Sequence, residues 1–422
     1  MTKNTRRVTY LSFFLLFFII APILVFYGLG YRYNFAKKII EKNGAVFVKS
    51  YPSKATITID QKIDKEKTPI QITEIKPGLH QITLSKDGYL PWTKNLAVKA
   101  GETTFIEDVA LFLADRTKTD LEVGGTDYLI NKNKDKYLYL NNNDLFITNT
   151  EQEKTAKVFT FDTKTELIDW SPDDQKILFL QNKQYSILEI GNNKIKTLNI
   201  TGQKIVWDNQ DANLLWLLKK NNLYRYNLAL DNTLLRLENI EDFALTGDYV
   251  VTQKQVNTAS QVEQWQKDNL NSVRSLANLN LGTFKVLLAD KDYLIFSLGT
   301  KLYIQRPNTE VFSVPVALVE IYGKYLLIND GYQTILYDYN EDQKEIIDRS
   351  SQIVSELKWH PNGSYFINEV NGETAIYELD SRDYRNNVKL FTNPLKKMYL
   401  FNKKGDKLFV LTPDENFSLT IQ

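Results

Sequence analysis

The chain contains no cysteine in 422 residues. This excludes disulfides, thiol nucleophiles, zinc ribbons and a lipid anchor attached through cysteine. It does not exclude a location outside the cell. Histidine is almost as scarce, with His80 and His360 the only two, too few for a three-histidine metal centre. No phosphate-binding glycine loop, HExxH, GxSxG or calcium-loop pattern occurs. No catalytic residue, cofactor or metal ligand is therefore expected, and the chain reads as a non-enzyme. Asp173 and Asp174 are adjacent carboxylates, but they sit in a turn pattern and are expected to form that turn.

A net charge excess is also missing, with 52 Lys and Arg against 51 Asp and Glu. The balance hides an asymmetry. Residues 1–42 hold seven basic groups and one acid, so the remaining 380 residues carry a net −5. A mildly acidic body lacks the basic patches on which phosphate recognition rests, which argues against a nucleic-acid partner.

The sequence does hold one long apolar run, the 24 uncharged residues from Val8 to Tyr31. As a helix it would span about 36 Å at 1.5 Å per residue, enough for a hydrocarbon core of about 30 Å. Tyr10 at one end and Tyr27, Tyr31 and Tyr33 at the other suit the two interfaces. The run is too long for the core of a cleaved signal peptide. The expectation is a single-pass anchor: residues 1–9 a cytoplasmic tail, 10–31 the span and 32–43 a juxtamembrane stalk. Arg32, Lys37 and Lys38 balance Lys3, Arg6 and Arg7, so charge does not orient it.

The 24 Tyr, 22 Phe and 6 Trp against 18 Gly favour strands in the remainder of the chain. Residues 55–60 alternate, with Ala55, Ile57 and Ile59 on one face. Thr68-Pro69 enters a second strand at Ile70. Pro77-Gly78 turns into a third through His80, Ile82 and Leu84, and a fourth covers Leu96 to Lys99. Four or five short strands in residues 44–113 make a small β-sandwich. Tyr89 and Trp92 come after the Asp87-Gly88 turn, either as exposed aromatic contacts for a ligand or as a packed corner.

The ordered set Gly44-Ala45, Ser50, Pro52, Ala55, Thr68-Pro69, Pro77-Gly78, Gly88-Tyr89 and Trp92 resembles the PEGA domain. The eponymous tetrapeptide survives only as Pro52-Ser53-Lys54-Ala55. The resemblance implies a bacterial or archaeal surface module, described as sugar-binding or envelope-associated and without catalytic residues. It gives Gly44, Pro52, Ala55, Pro69, Pro77, Gly78 and Gly88 structural roles.

Beyond a connector at 114–125, residues 126–422 are repetitive. Ile168-Asp169-Trp170-Ser171-Pro172-Asp173-Asp174 aligns with Leu357-Lys358-Trp359-His360-Pro361-Asn362-Gly363. A weaker copy starts at Val206-Trp207, and fainter ones at Tyr128, Phe243, Leu287, Ile321 and Tyr399. The starts lie 34 to 44 residues apart, the length four short strands need, so each unit reads as a propeller blade. Trp170, Pro172, Asp173, Trp207, Trp359, Pro361 and Gly363 are expected to be structural. This pattern is similar to TolB-like and WD-repeat β-propellers, which implies architecture more than function.

The fold class is thus mostly β: one transmembrane helix, a PEGA-like sandwich and a propeller of eight blades, or seven. The last unit offers three strands, so either Leu111–Leu113 or Leu121–Val123 must close the ring. The chain reads as a membrane-anchored binding or scaffold protein of the cell envelope with an extracytoplasmic body, recognising a cell-wall glycan or an envelope protein. The alternatives are a carbohydrate-active enzyme on the propeller and a sensor subunit of a membrane complex.

Overall fold

The computed structural model describes residues 3–34, 38–307, 309–393 and 397–422. Two compact units divide it: residues 1–116 with 378–388 and 422, and residues 117–377 with 389–421.

The first unit opens with the helix Lys3–Gly28. Its segment Thr9–Gly28 has a mean hydropathy of 2.5 and no buried side chain. Phe13, Phe14, Phe17 and Leu24 lie exposed, an arrangement that only an apolar surrounding relieves. The segment is long and apolar enough to cross a membrane.

The expected span to Tyr31 is too long at its C-terminal end. Gly30, at φ +87°, turns the chain out of the helix. The expected stalk is likewise corrected: Tyr31–Asn34 pairs antiparallel with Ile39–Lys42 as a hairpin. Residues 35–37 of that stalk, and residues 1–2 of the tail, lie outside the described residues. Arg32 fastens the hairpin. Its guanidinium lies 3.6 Å from the centroid of the Tyr27 ring, donates to the Tyr27 carbonyl at 2.7 Å and pairs with Glu74.

The sandwich beyond the hairpin has two sheets. Gly44–Tyr51 is central in the first, antiparallel to Ile70–Ile75 and parallel to Thr103–Ala110. The second runs in the order Lys62–Lys67, Thr56–Ile59, Gly78–Ser85, Trp92–Val98. Val46, Val48, Ala55, Ile57, Ile82, Leu84, Leu96, Val98 and Ile106 fill the space between them. This makes seven strands, against the four or five expected. Lys62–Lys67 was hidden by its sequence, KIDKEK, whose charges suit an exposed edge.

The motif residues form a tied corner. The Ser50 hydroxyl meets that of Thr68 at 2.7 Å, and the Thr68 oxygen accepts the Ala55 N–H at 3.0 Å. Both peptide bonds to Pro52 and Pro69 are cis. Gly44 is required by close approach, since a Cβ there would stand 2.4 Å from the Lys99 carbonyl oxygen.

The second unit is a ring of four-stranded antiparallel sheets, eight among the described residues. They are numbered 1 to 8 in chain order, with first strands beginning at 126, 165, 204, 242, 284, 318, 354 and 398. Every repeat start read from the sequence, from Tyr128 to Tyr399, falls inside one of these first strands. Sheet 2 is typical: Thr165–Trp170, Lys176–Gln181, Gln184–Glu189 and Lys194–Thr197, each paired with the next. Second strands such as Leu214–Lys219 (LLWLLK) are continuously apolar because neighbouring sheets cover both faces.

Packing runs sheet to sheet around the ring. Leu138 and Leu140 meet Leu167 and Phe179, Leu178 and Ile187 meet Trp207 and Leu217, and Trp216 meets Phe243 and Val250. Val251 and Val262 meet Phe284 and Phe296, and Ile295 and Leu302 meet Leu326 and Tyr337. Tyr322 of sheet 6 lies 5.4 Å from Trp359 of sheet 7, and His360 lies 5.0 Å from Phe401 of sheet 8. Tyr137 and Tyr139 then pack on Leu400, Phe409 and Leu411, returning sheet 8 to sheet 1. A closed ring of four-stranded sheets is a β-propeller.

Lys118–Val123 closes it. This strand pairs antiparallel with Glu415–Thr420 as the fourth strand of sheet 8. Of the two candidates it is the later one. Leu111–Leu113 belongs to the first unit, where the Leu111 N–H donates to Tyr51 and the Phe112 carbonyl accepts from Leu90.

Candidate functional site

In sheets 1, 2 and 8 the turn after the first strand has one hydrogen-bond pattern built from different side chains. In sheet 2 the Ser171 hydroxyl donates to Asp173 at 2.6 Å and accepts the Lys176 N–H at 2.8 Å. Asn131 of sheet 1 and Asn402 of sheet 8 accept the corresponding N–H groups of Lys136 and Lys407. His360 holds this place in sheet 7. Its Nε2 donates to the Gly405 carbonyl at 2.9 Å, and its Nδ1 accepts the Asn362 N–H at 3.3 Å. Burial holds its pKa below the ordinary imidazole value, so the ring is neutral. Asp173 is a turn former here, with Ser171 and the Gln175 N–H on its oxygen.

The last residue of each first strand is the second recurring position. It is Trp170, Trp207, Tyr322, Trp359 and Phe401 in sheets 2, 3, 6, 7 and 8. Trp170 and Trp207 are absorbed into the packing between sheets. The indole N–H groups of Trp170, Trp207 and Trp359 are buried with no acceptor among the described residues.

Sheets 6, 7 and 8 use the same position differently. There Tyr322, Trp359 and Phe401, with His360 and Pro361, wall a cavity of about 270 Å³. Glu320, Lys358, Lys403, Asn133, Lys134 and Asn402 add polar lining. Tyr322 remains 39% exposed, while its hydroxyl donates to the Pro361 carbonyl at 2.8 Å. Its ring is therefore held in place while one face stays accessible. Lys358 lies 3.4 Å from Glu320 and Lys403 lies 2.9 Å from Asp135. Lys134 has no carboxylate at ion-pair distance among the described residues.

Two first-strand carboxyls are perturbed. Burial pushes Glu356 up to about 7, and Glu320 and Glu369 add to the effect while Lys358 opposes it. Glu369 is itself engaged, by Lys397 at 3.1 Å and by the Tyr399 hydroxyl at 2.5 Å. Carboxylates of sheets 6 and 7 thus converge on one stretch of the ring. Asp169 is pushed up by burial to about 6, although it accepts the Trp170 and Trp207 N–H groups at 2.8 and 2.7 Å. It ties sheet 2 to sheet 3.

In the first unit, Trp92 takes the packed-corner alternative over the exposed ligand contact. Its ring is 4% exposed and belongs to the core. Its indole N–H donates to Glu378 at 2.9 Å, which leaves the packed corner. Tyr89 is half-buried against the same core and bridges to Leu113. His80 lies near the start of its strand, between Asp60 and the Lys76 carbonyl, each 2.6 Å away.

Of the residues singled out in the sequence, Trp359, His360 and Pro361 meet at the cavity. Tyr322, Phe401, Lys134, Lys358 and Glu356 were missed. Placing the faint repeats in phase with the clear ones would have collected Tyr322 and Phe401.

Residues 43–109 match the PEGA domain family. The PEGA domain accounts for the two-sheet sandwich and its tied corner, and the match does not extend into the ring. No curated protein matches the chain. Among solved structures, a eukaryotic initiation factor has a TM-score of 0.54 at 16% identity, covering 71% of this chain and 86% of that one. The Dos1 propeller gives 0.49 at 12% identity, over 72% and 94%. BamB from Moraxella catarrhalis gives 0.46 at 7%, over 72% and 98%. At such identities the likeness is one of fold. Fold and domain together suggest a binding or scaffold role.

Proposed function

We propose that this is a membrane-anchored binding protein of the cell envelope. In this reading the apolar helix crosses the bilayer once, and the rest of the chain lies on the extracytoplasmic side. The partner is a cell-wall glycan or an envelope protein, held at the mouth of the propeller. The observation that carries the reading is the cavity walled by Tyr322, Trp359 and Phe401, in which an aromatic face is left accessible beside polar groups. The PEGA match and the uncovered helix support the envelope setting.

Two measurements test it. The full chain in detergent should retain envelope glycan or a stoichiometric envelope protein, and protease added outside opened envelopes should degrade residues beyond 43. Protection of the body until the cells are lysed would overturn the orientation.

One observation favours a second reading. Glu356, protonated near neutrality beside Glu320 and Glu369, has the character of a general acid on a glycan. Release of reducing ends from envelope polysaccharide, abolished by Glu356→Gln, would establish a carbohydrate-active enzyme.

A further inference from the structure

We propose that the cavity between sheets 6, 7 and 8 is a subsite for one anionic sugar residue. This rests on the proposed binding role and names its ligand class. The volume of about 270 Å³ lies just under the ~300 Å³ at which small-molecule sites begin, so it admits one ring-sized group and not a folded partner. The Tyr322 ring, braced on Trp359 at 5.4 Å and fixed through its hydroxyl, offers a flat apolar face. A pyranose has a matching C–H face, with hydroxyls at its edge. The exposed Asn133 amide at the rim supplies both a donor and an acceptor to such hydroxyls.

Charge selects the anion. Three lysines, Lys134, Lys358 and Lys403, line the cavity against one carboxylate, Glu320. Glu320 and Asp135 engage Lys358 and Lys403, which leaves Lys134 as the cation without a protein counter-ion among the described residues. A carboxylate or phosphate on the sugar completes that pairing, a complementarity that fixes partner choice.

The test uses the full chain in detergent and calorimetric titration with three probes: a glucuronate tetrasaccharide, its neutral glucose counterpart and tetraglutamate. The glucuronate should bind best. Lys134→Glu should weaken it about tenfold, as expected for reversing one rim charge, and leave the glucose probe unchanged. Tyr322→Ala should weaken both sugars. Both residues are accessible, and an unchanged melting temperature checks that the variants fold. A glycerol-phosphate polymer with and without glucose substituents separates the phosphate source from the sugar.

Tetraglutamate binding as tightly as glucuronate would overturn the sugar assignment. If the variants keep every probe and still retain envelope material, the subsite falls while the binding role stands. If the wild-type chain retains neither probes nor envelope material, both fall.

Discussion

The Trp92 indole donates to the Glu378 carboxylate at 2.9 Å, and Lys94 meets the other oxygen of that carboxylate at 3.1 Å. Lys94 is fully buried, and Asp380 stands 3.5 Å from it. All four residues belong to the unit that contains the PEGA domain. Breaking a buried pair leaves an uncompensated charge, which costs about 3–5 kcal/mol. Lys94→Met should lower the stability of this unit by that order in denaturant titrations monitored by tryptophan fluorescence. The double variant with Glu378→Leu should recover part of the loss. A loss under about 1 kcal/mol for the single variant, the scale of an exposed pair, would show that the charges are solvated.

Ring closure gives a second expectation. Sheet 8 takes its fourth strand from Lys118–Val123. A chain beginning at Phe105 keeps that strand, whereas one beginning at Thr126 exposes the N–H and C=O groups of Glu415–Thr420, an edge open to association. The shorter chain should melt well below the longer and run as higher oligomers in size-exclusion chromatography. Matching melting temperatures would mean that sheet 8 is stable with three strands.

Glu356 predicts a pH dependence of definite sign. Its carboxyl is raised from 4.5 to about 7 in the folded chain. Between those values the folded chain holds a proton that the unfolded chain has released. Its contribution is therefore most favourable in acid and is lost as pH rises through the window, levelling off above about 7. Glu356→Gln, a neutral mimic, should raise the melting temperature at about pH 8 and barely change it at about pH 5. A shift of the same size at both pH values would contradict the assignment.

Asp169 accepts backbone N–H groups from sheets 2 and 3 together. Asp169→Ala leaves both donors unsatisfied, at about 1–3 kcal/mol each. Hydrogen exchange should speed up at the Trp170 and Trp207 amides, and a variant with unchanged protection there would refute the tie.

The repeat was legible where a tight turn carried a recognisable signature, Ser171-Pro172-Asp173 or His360-Pro361-Asn362-Gly363. Elsewhere Asn131 and Asn402 perform the same hydrogen bonding with another residue type, which flattened the signal. The charged edge strand Lys62–Lys67 and the paired strands Tyr31–Asn34 and Ile39–Lys42 escaped because none shows hydrophobic alternation. Trp92 was ambiguous because its acceptor, Glu378, lies 286 residues away in the chain. The cavity was illegible for a related reason. Tyr322, Trp359 and Phe401 are ordinary aromatics one by one, and they form a wall only when three repeats are laid side by side.

The pairing of Lys118–Val123 with Glu415–Thr420 also sets an order of events during biosynthesis. The first strand needed to finish the ring leaves the ribosome nearly 300 residues before its partner. Sheets 1 to 7 pair locally as they emerge, but Lys118–Val123 must wait unpaired until Glu415–Thr420 arrives, and bringing the two together carries the entropy of a long loop. A polypeptide that stalls before Glu415 therefore remains an open crescent with both end sheets exposed.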